Sequence, residues 1–212
     1  RPDLSNTQTM LDALRDAGAP PEDEAFQRAL AFITRAQNRS ESNPASWAGD
    51  DGGFVYTPAG EGESKVESQA GSLRSYGSMT YAGFKSLLYA GLDVKDPRVQ
   101  AALEWLRQHW TLDENPGLGD QGYYYYLHVM SRALRAFGQD SITDDSGKVH
   151  DWRRELAERL LALQEPDGSW INRKSDRWLE GESCLATAYA VLALEEVMAS
   201  GVTASPSEMV PE

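Results

Sequence analysis

The chain has 212 residues, 41% of them hydrophobic and 25% charged, with 20 Lys and Arg against 33 Asp and Glu for a net charge of −13. That length suits one domain burying roughly 70% of the surface its unfolded chain exposes, and a field of that sign argues against nucleic acid as a partner. No apolar run approaches the roughly 18 residues of a membrane span, and the single cysteine, Cys184, excludes an internal disulfide framework.

Arg1 to Thr7 reads as a loop and helix cap already inside a domain, and the given residues contain no signal peptide. Thr7 opens the first helix signal, with Leu14 seven residues on and Gly18 eleven on. The same spacing recurs from Thr80 (Leu87, Gly91) and from Leu127 (Leu134, Gly138). It recurs once more from Thr187, with Leu194 at seven and Met198 in place of the glycine. A helix often ends on a left-handed residue, and glycine adopts that conformation without cost. These origins predict helices over 7–18, 80–91, 127–138 and 187–197. Their separations are irregular, at 73 (80 − 7), 47 (127 − 80) and 60 (187 − 127) residues. Loops of variable length therefore join a conserved hairpin.

Each of the first three copies is followed by an amphipathic helix signal. Phe26, Ala29, Leu30 and Ile33 make the first such face; Val99, Ala102, Leu103, Leu106 and Trp110 the second; Trp152, Leu156, Leu160 and Leu163 the third. Pro21 and Pro97 stand near the starts of the first two, where a missing N–H is harmless. The Thr80, Leu127 and Thr187 copies are instead apolar nearly all round, which demands cover on all sides. An inner ring of buried helices wrapped by an outer amphipathic ring meets that demand. A TPR-type solenoid would not need such uniformly apolar inner helices. The expected fold is all-α, a partial toroid of repeated hairpins over residues 1–198. A long Gly-, Ser- and Glu-rich surface loop is expected over 38–76, and an irregular tail over 199–212.

Turns between the pairs recur as well. Gln37 is followed by Asp51-Gly52-Gly53-Phe54, and Gln164 by Asp167-Gly168-Ser169-Trp170. Asp-Gly marks a tight turn, and the aromatic can pack back on the helix just left. Gln164 is expected to bond to backbone at a neighbouring helix start. Asp140 to Asp145 and Asp50-Asp51 read as solvated loop and turn.

Gln164 to Trp170 resembles the QW motif of squalene–hopene cyclases and related class II terpene cyclases. Asp3 to Thr7 with Leu11, Leu14 and Gly18 is similar to the inner helix of that repeat. Tyr76 to Gly83, Asn115-Pro116-Gly117, Gly122 to Tyr126 and His150 to Arg153 resemble bacterial proteins that carry the prenyltransferase/squalene-oxidase repeat and have no firmly assigned activity. The resemblance spans nearly the whole chain. It implies an α/α-toroid of the α6/α6 type, an extracytoplasmic or periplasmic setting, and further repeats on the N-terminal side. It also implies an isoprenoid or other hydrophobic small molecule as ligand, or a protein partner that completes the toroid.

The catalytic signatures of those relatives are missing. A cyclase acid sits in an Asp-x-Asp-Asp motif that keeps one carboxyl neutral, and this chain has none. The zinc set of a protein prenyltransferase needs an acid, a Cys two residues later and a His further on. Glu182-x-Cys184 has the first spacing, but no histidine follows it. A zinc ion held with His128 is the weaker alternative to a small packed Cys184. No metal or cofactor is therefore expected, and no catalytic residue is assigned. In a toroid the helix starts gather at one end around a cavity. The repeat register brings Tyr76, Tyr81, Tyr125, His128, Trp178, Glu180, Glu182 and Tyr189 towards that end, as a ligand pocket of aromatic faces with a few polar groups. Packing and helix capping by Asp3, Ser5, Ser78 and Ser183 are the competing account. Either Glu180 or Glu182 is expected to be the most perturbed acid of the chain, its pKa raised by burial, unless Arg173 or Arg177 pairs with it. The expected function is a non-catalytic, cyclase-like binding module; the rival is an isoprenoid-processing enzyme with an atypical acid.

Overall fold

A computed structural model describes residues 1–67 and 71–199, so most of the expected tail at 199–212 lies outside the described residues. The architecture is mostly helical: α1 (Leu4–Asp16), α2 (Glu24–Arg35), α3 (Gly77–Tyr89), α4 (Pro97–Gln108), α5 (Tyr123–Phe137), α6 (Trp152–Ala162) and α7 (Ser183–Met198). Two short antiparallel strands, β1 (Ile142–Thr143) and β2 (Val149–His150), form a ribbon where the sequence reads as plain loop. Among the described residues no helix is long and apolar enough to cross a membrane.

The odd-numbered helices pack side by side in the order α1, α3, α5, α7. The even-numbered ones lie outside them: α2 on α1 and α3, α4 on α3, α6 on α5 and α7. Each inner helix begins three or four residues before its expected origin. Asp3 caps α1, its Oδ1 accepting from Asn6 N at 2.9 Å. Ser5, Ser78 and Ser183 sit inside their helices and cap nothing. Outer helices are capped by Asp23, Asp96 and Asp151. Gly18, Gly91 and Gly138 hold φ of +80°, +81° and +74° at or just past the helix ends, where any other residue would be strained.

Burial departs from the expected pattern at the two edges. The helix α3 is buried from Gly77 to Leu87, and α5 on most of its circumference. By contrast α1 buries only Leu4, Gln8, Leu11 and Asp12, and α7 only Ala186, Ala190, Ala193 and Glu196. The middle helices have inner neighbours on both sides, whereas α1 and α7 have one each. The apolar exterior of α7 is therefore left with Val191, Leu192 and Met198 exposed.

The 38–76 loop is packed rather than merely extended. Asn38 Nδ2 donates to Leu73 O and Ser75 Oγ, and Asn43 Nδ2 to the carbonyls of Arg35 and Gln37. Trp47, Phe54, Val55 and Thr57 are buried within it. Amide side chains thus satisfy backbone that no ladder satisfies.

The recurrent turns superpose in their bonding. Phe54 N donates to Thr80 Oγ1 at 3.1 Å, and Trp170 N to Thr187 Oγ1 at 2.9 Å. Trp170 packs back on α6, its indole N–H donating to Leu160 O at 2.8 Å. The expectation for Gln164 is overturned: its Nε2 donates to Gly168 O in its own turn, not to a neighbouring helix. Among the described residues no outer helix lies beyond α6 for it to reach. Trp170 is 4% exposed, so Trp170→Ala is expected to cost about 3 kcal/mol by urea unfolding. A loss under about 1 kcal/mol would mean that the turn carries no structural weight.

Candidate functional site

The N-terminal ends of the four inner helices surround a cavity of about 240 Å³. The helix α1 contributes Ser5, α3 Ser78 and Met79, α5 Tyr125, and α7 Tyr189. Tyr76 precedes α3 and Gly122 precedes α5; the long loop adds Tyr56 and Lys65, and the segment before α7 adds Trp178 and Glu180. Of the residues named from sequence, Tyr76, Tyr125, Trp178, Glu180 and Tyr189 meet here.

Tyr81, His128 and Glu182 do not line it. Tyr81 is 1% exposed and packs on Tyr126 with ring centroids 5.7 Å apart. It faces sideways into the core because one residue of helix turns a side chain by about 100°. His128 lies one turn deeper, stacked on Tyr189 at 5.7 Å. Glu182 is the exposed residue at the start of α7 and makes no cap hydrogen bond. Cys184 is exposed beside it, while His128 lies deeper, against Tyr189. Among the described residues no cluster of His, Cys, Asp and Glu is arranged to hold a metal ion.

Tyr125 and Tyr189 meet edge to face at 5.6 Å. The Tyr125 hydroxyl is 2.8 Å from Ser5 Oγ and accepts from Gln8 Nε2 at 3.3 Å, tying α1 to α5 across the cavity floor. Burial, first of all, raises the phenol pKa of Tyr56, Tyr76, Tyr125 and Tyr189. These groups stay neutral at ordinary pH and present apolar faces with hydroxyl tips.

Glu180 is 1% exposed. Its Oε1 accepts from Tyr125 N at 2.8 Å, and its Oε2 from Asn172 Nδ2 at 2.9 Å. The residue before α5 is Gly122, at φ +64°, which has no side chain to cap the helix. Glu180 therefore supplies the cap from 55 residues away, and its charge sits at the positive helix end. Burial nonetheless pushes its carboxyl upward, against the pull of the N–H donors. Contrary to the expectation from sequence, it is not the most perturbed acid: hydrogen bonds from Ser146 and then His150 hold Asp144 further from the ordinary range, in the downward direction. The alternative pairing is not made, since Arg173 holds Glu165 and Arg177 holds Gln121.

Trp178 and Leu179 carry φ of +60° and +66°, the two non-glycine residues of left-handed backbone among those described. Both side chains are exposed, at 44% and 67%. The Trp178 ring lies so close to Gly122 that a Cβ there would meet it at 3.0 Å. Strain of this sort, about 1–3 kcal/mol per residue, persists where the surroundings impose it and clusters at ligand clamps. At the opposite wall Lys65 Nζ lies 4.0 Å over the Tyr56 ring. No family model, no curated protein and no solved structure matches this chain.

Sequence reasoning missed Ser5 and Ser78, although both stand two residues before their helix origins, as Tyr125 does. That register was readable. Tyr56 and Lys65 carried no such signal, because the loop that delivers them has no period. A second group was missed deeper in: Asp12, Lys85 and Arg132 stand five residues after their three origins and meet between α1, α3 and α5.

Proposed function

We propose that this chain is a repeat module of the cyclase-like α/α-toroid type that binds an apolar small molecule, of isoprenoid class, at the N-terminal mouth of its inner helices. The carrying observation is the cavity itself, walled by Tyr56, Tyr76, Tyr125, Tyr189 and Trp178 and fed by all four inner helices. Aromatic walls with a few convergent polar groups suit a largely apolar ligand. The two carboxylate oxygens of Glu180 are taken by N–H donors, which favours a supporting role over proton donation. An extracytoplasmic setting goes with this reading through the sequence resemblance alone.

Titration with geranylgeraniol and with squalene, read by tryptophan emission, tests the reading. A saturable change is expected, and Trp178→Ala and Tyr189→Ala should each weaken it about tenfold, the weight of one aromatic contact of about 1.4 kcal/mol. An unsaturable signal identical in the two variants would defeat the assignment.

One observation favours the enzymatic alternative: Glu180 is the carboxyl with a raised pKa among those described, and it borders the cavity. On that reading, incubation with squalene, oxidosqualene or geranylgeranyl diphosphate yields a cyclic product that Glu180→Gln abolishes.

A further inference from the structure

A cavity ringed by helix starts would ordinarily invite an anion. Here the starts of α1, α3 and α5 are already answered from within the chain. Asp3 Oδ1 accepts from Asn6 N at 2.9 Å, Asn115 Oδ1 from Ser78 N at 3.0 Å, and Glu180 Oε1 from Tyr125 N at 2.8 Å. Lys65, a cation of the lining, is paired with Glu63 and stands over the Tyr56 ring. With Asp3 and Glu180 at two of the helix starts and the ammonium already held, a phosphate or carboxylate meets like charge and few open donors.

The hydroxyl groups are less fully used. Tyr76, just ahead of α3, is 2% exposed and lines the cavity, and among the described residues its hydroxyl has no hydrogen-bond partner. A phenol buried to that extent loses free energy unless something accepts its proton. The Tyr125 hydroxyl and Ser5 Oγ stand 2.8 Å apart, and Gln8 Nε2 donates to the former. Two O–H groups share that one bond, so one proton of the pair is left to donate whichever way the bond runs. Ionisation of Tyr76 is opposed first by its burial and then by Tyr125 and Tyr56, which places these hydroxyls in one neighbourhood. Two O–H donors, one ahead of α3 and one between α1 and α5, therefore face a cavity that offers them no acceptor of their own.

We propose, building on the isoprenoid-class reading of this cavity, that its ligand carries a single neutral oxygen, as a hydroxyl or a carbonyl, seated between the Tyr76 hydroxyl and the Ser5–Tyr125 pair. The two lone pairs of that oxygen accept from the two donors. At about 30 Å³ for each water-sized group, 240 Å³ takes about eight of them. The cavity thus encloses the oxygenated end of an isoprenoid chain, and the remainder leads out past the half-exposed Trp178 ring. A bare hydrocarbon leaves both donors unanswered, and a diphosphate brings charge to a site already lined with carboxylates.

The unaltered chain is titrated with geranylgeraniol, with the corresponding aldehyde, with the hydrocarbon that has hydrogen in place of the oxygen, and with geranylgeranyl diphosphate, read by tryptophan emission. The alcohol or the aldehyde is expected to bind about tenfold more tightly than the hydrocarbon and the diphosphate, and the stronger of the two names the oxygen. Tyr76→Phe removes one atom and should erase most of that preference while leaving the hydrocarbon's own affinity undiminished, which a merely structural loss does not do. The comparison among ligands needs no variant, so it decides even where Tyr76→Phe fails to fold. Saturable binding without a preference for the oxygenated chains, or a preference that Tyr76→Phe leaves intact, overturns the neutral-oxygen site and leaves the isoprenoid reading standing. Tightest binding of the diphosphate overturns it as well. No saturable binding by any of these ligands overturns both.

Discussion

Replacing Lys85 by methionine is expected to destabilise the fold by about 3–5 kcal/mol, the usual consequence of breaking a buried ion pair from one side. Lys85 is fully buried in α3. Its Nζ donates to Gln8 Oε1 at 2.5 Å and to both carboxylate oxygens of Asp12 at 2.7 Å. Burial pulls its pKa down to about 8, although Asp12 pulls the other way. Asp12 is itself 8% exposed and would keep only Arg132, whose Nε lies 3.3 Å away. The same guanidinium also serves Asp16 at 2.8 Å and Glu196 at 3.6 Å, so it cannot compensate fully. The double variant Lys85→Met with Asp12→Leu removes both charges and should recover most of the loss. Urea unfolding of the two variants decides. A single variant within about 1 kcal/mol of the parent would show that the interior ion pair holds nothing together.

Acid is expected to weaken the fold through His128, beyond the ordinary effect of its carboxylates. Its Nδ1 is buried without a hydrogen-bond partner. Burial, and then the charges of Lys85 and Arg132, hold its pKa near 3, below the ordinary 6.5. The sign follows from linkage. The folded state resists a proton that the unfolded chain accepts below about pH 6.5, so the histidine's contribution is fully present above that pH. It is lost as pH falls towards about 3, at roughly 1.4 kcal/mol per unit. The total is on the order of 5 kcal/mol. Unfolding midpoints of the parent and of His128→Gln, taken from pH 7 down to pH 4, should show the parent losing stability relative to the variant as the solution is acidified. Parallel curves would show that His128 takes its proton as readily folded as unfolded.

Much of this architecture was legible because its signals are local. The eleven-residue spacing from Thr7, Thr80 and Leu127 to a glycine lies within one helix, and helical periodicity and left-handed termini are properties of short segments. The equivalence of Phe54 with Trp170 and of Thr80 with Thr187 is a matter of register, so it too could be read in advance. The cavity was half legible. Tyr76, Tyr125 and Tyr189 stand at repeat positions, but register alone could not say that Tyr81 turns into the core while Ser5 and Ser78 face the opening.

The rest was decided in three dimensions, where groups distant in the chain must satisfy one another's polar demands. Glu180 caps α5 because Gly122 has no side chain to do so, and nothing local to either residue announces that bond. Lys85 is tolerable in a buried helix only because Gln8 and Asp12, 77 and 73 residues away, converge on it. Gln37 and Gln164 stand in the same motif, yet the first is buried and the second exposed, because among the described residues only Gln37 has another helix start beside it. Propensity and pattern specify which helices form and which face is apolar. Which polar groups are satisfied, and which edges stay open, depends on long-range neighbours that sequence spacing does not record.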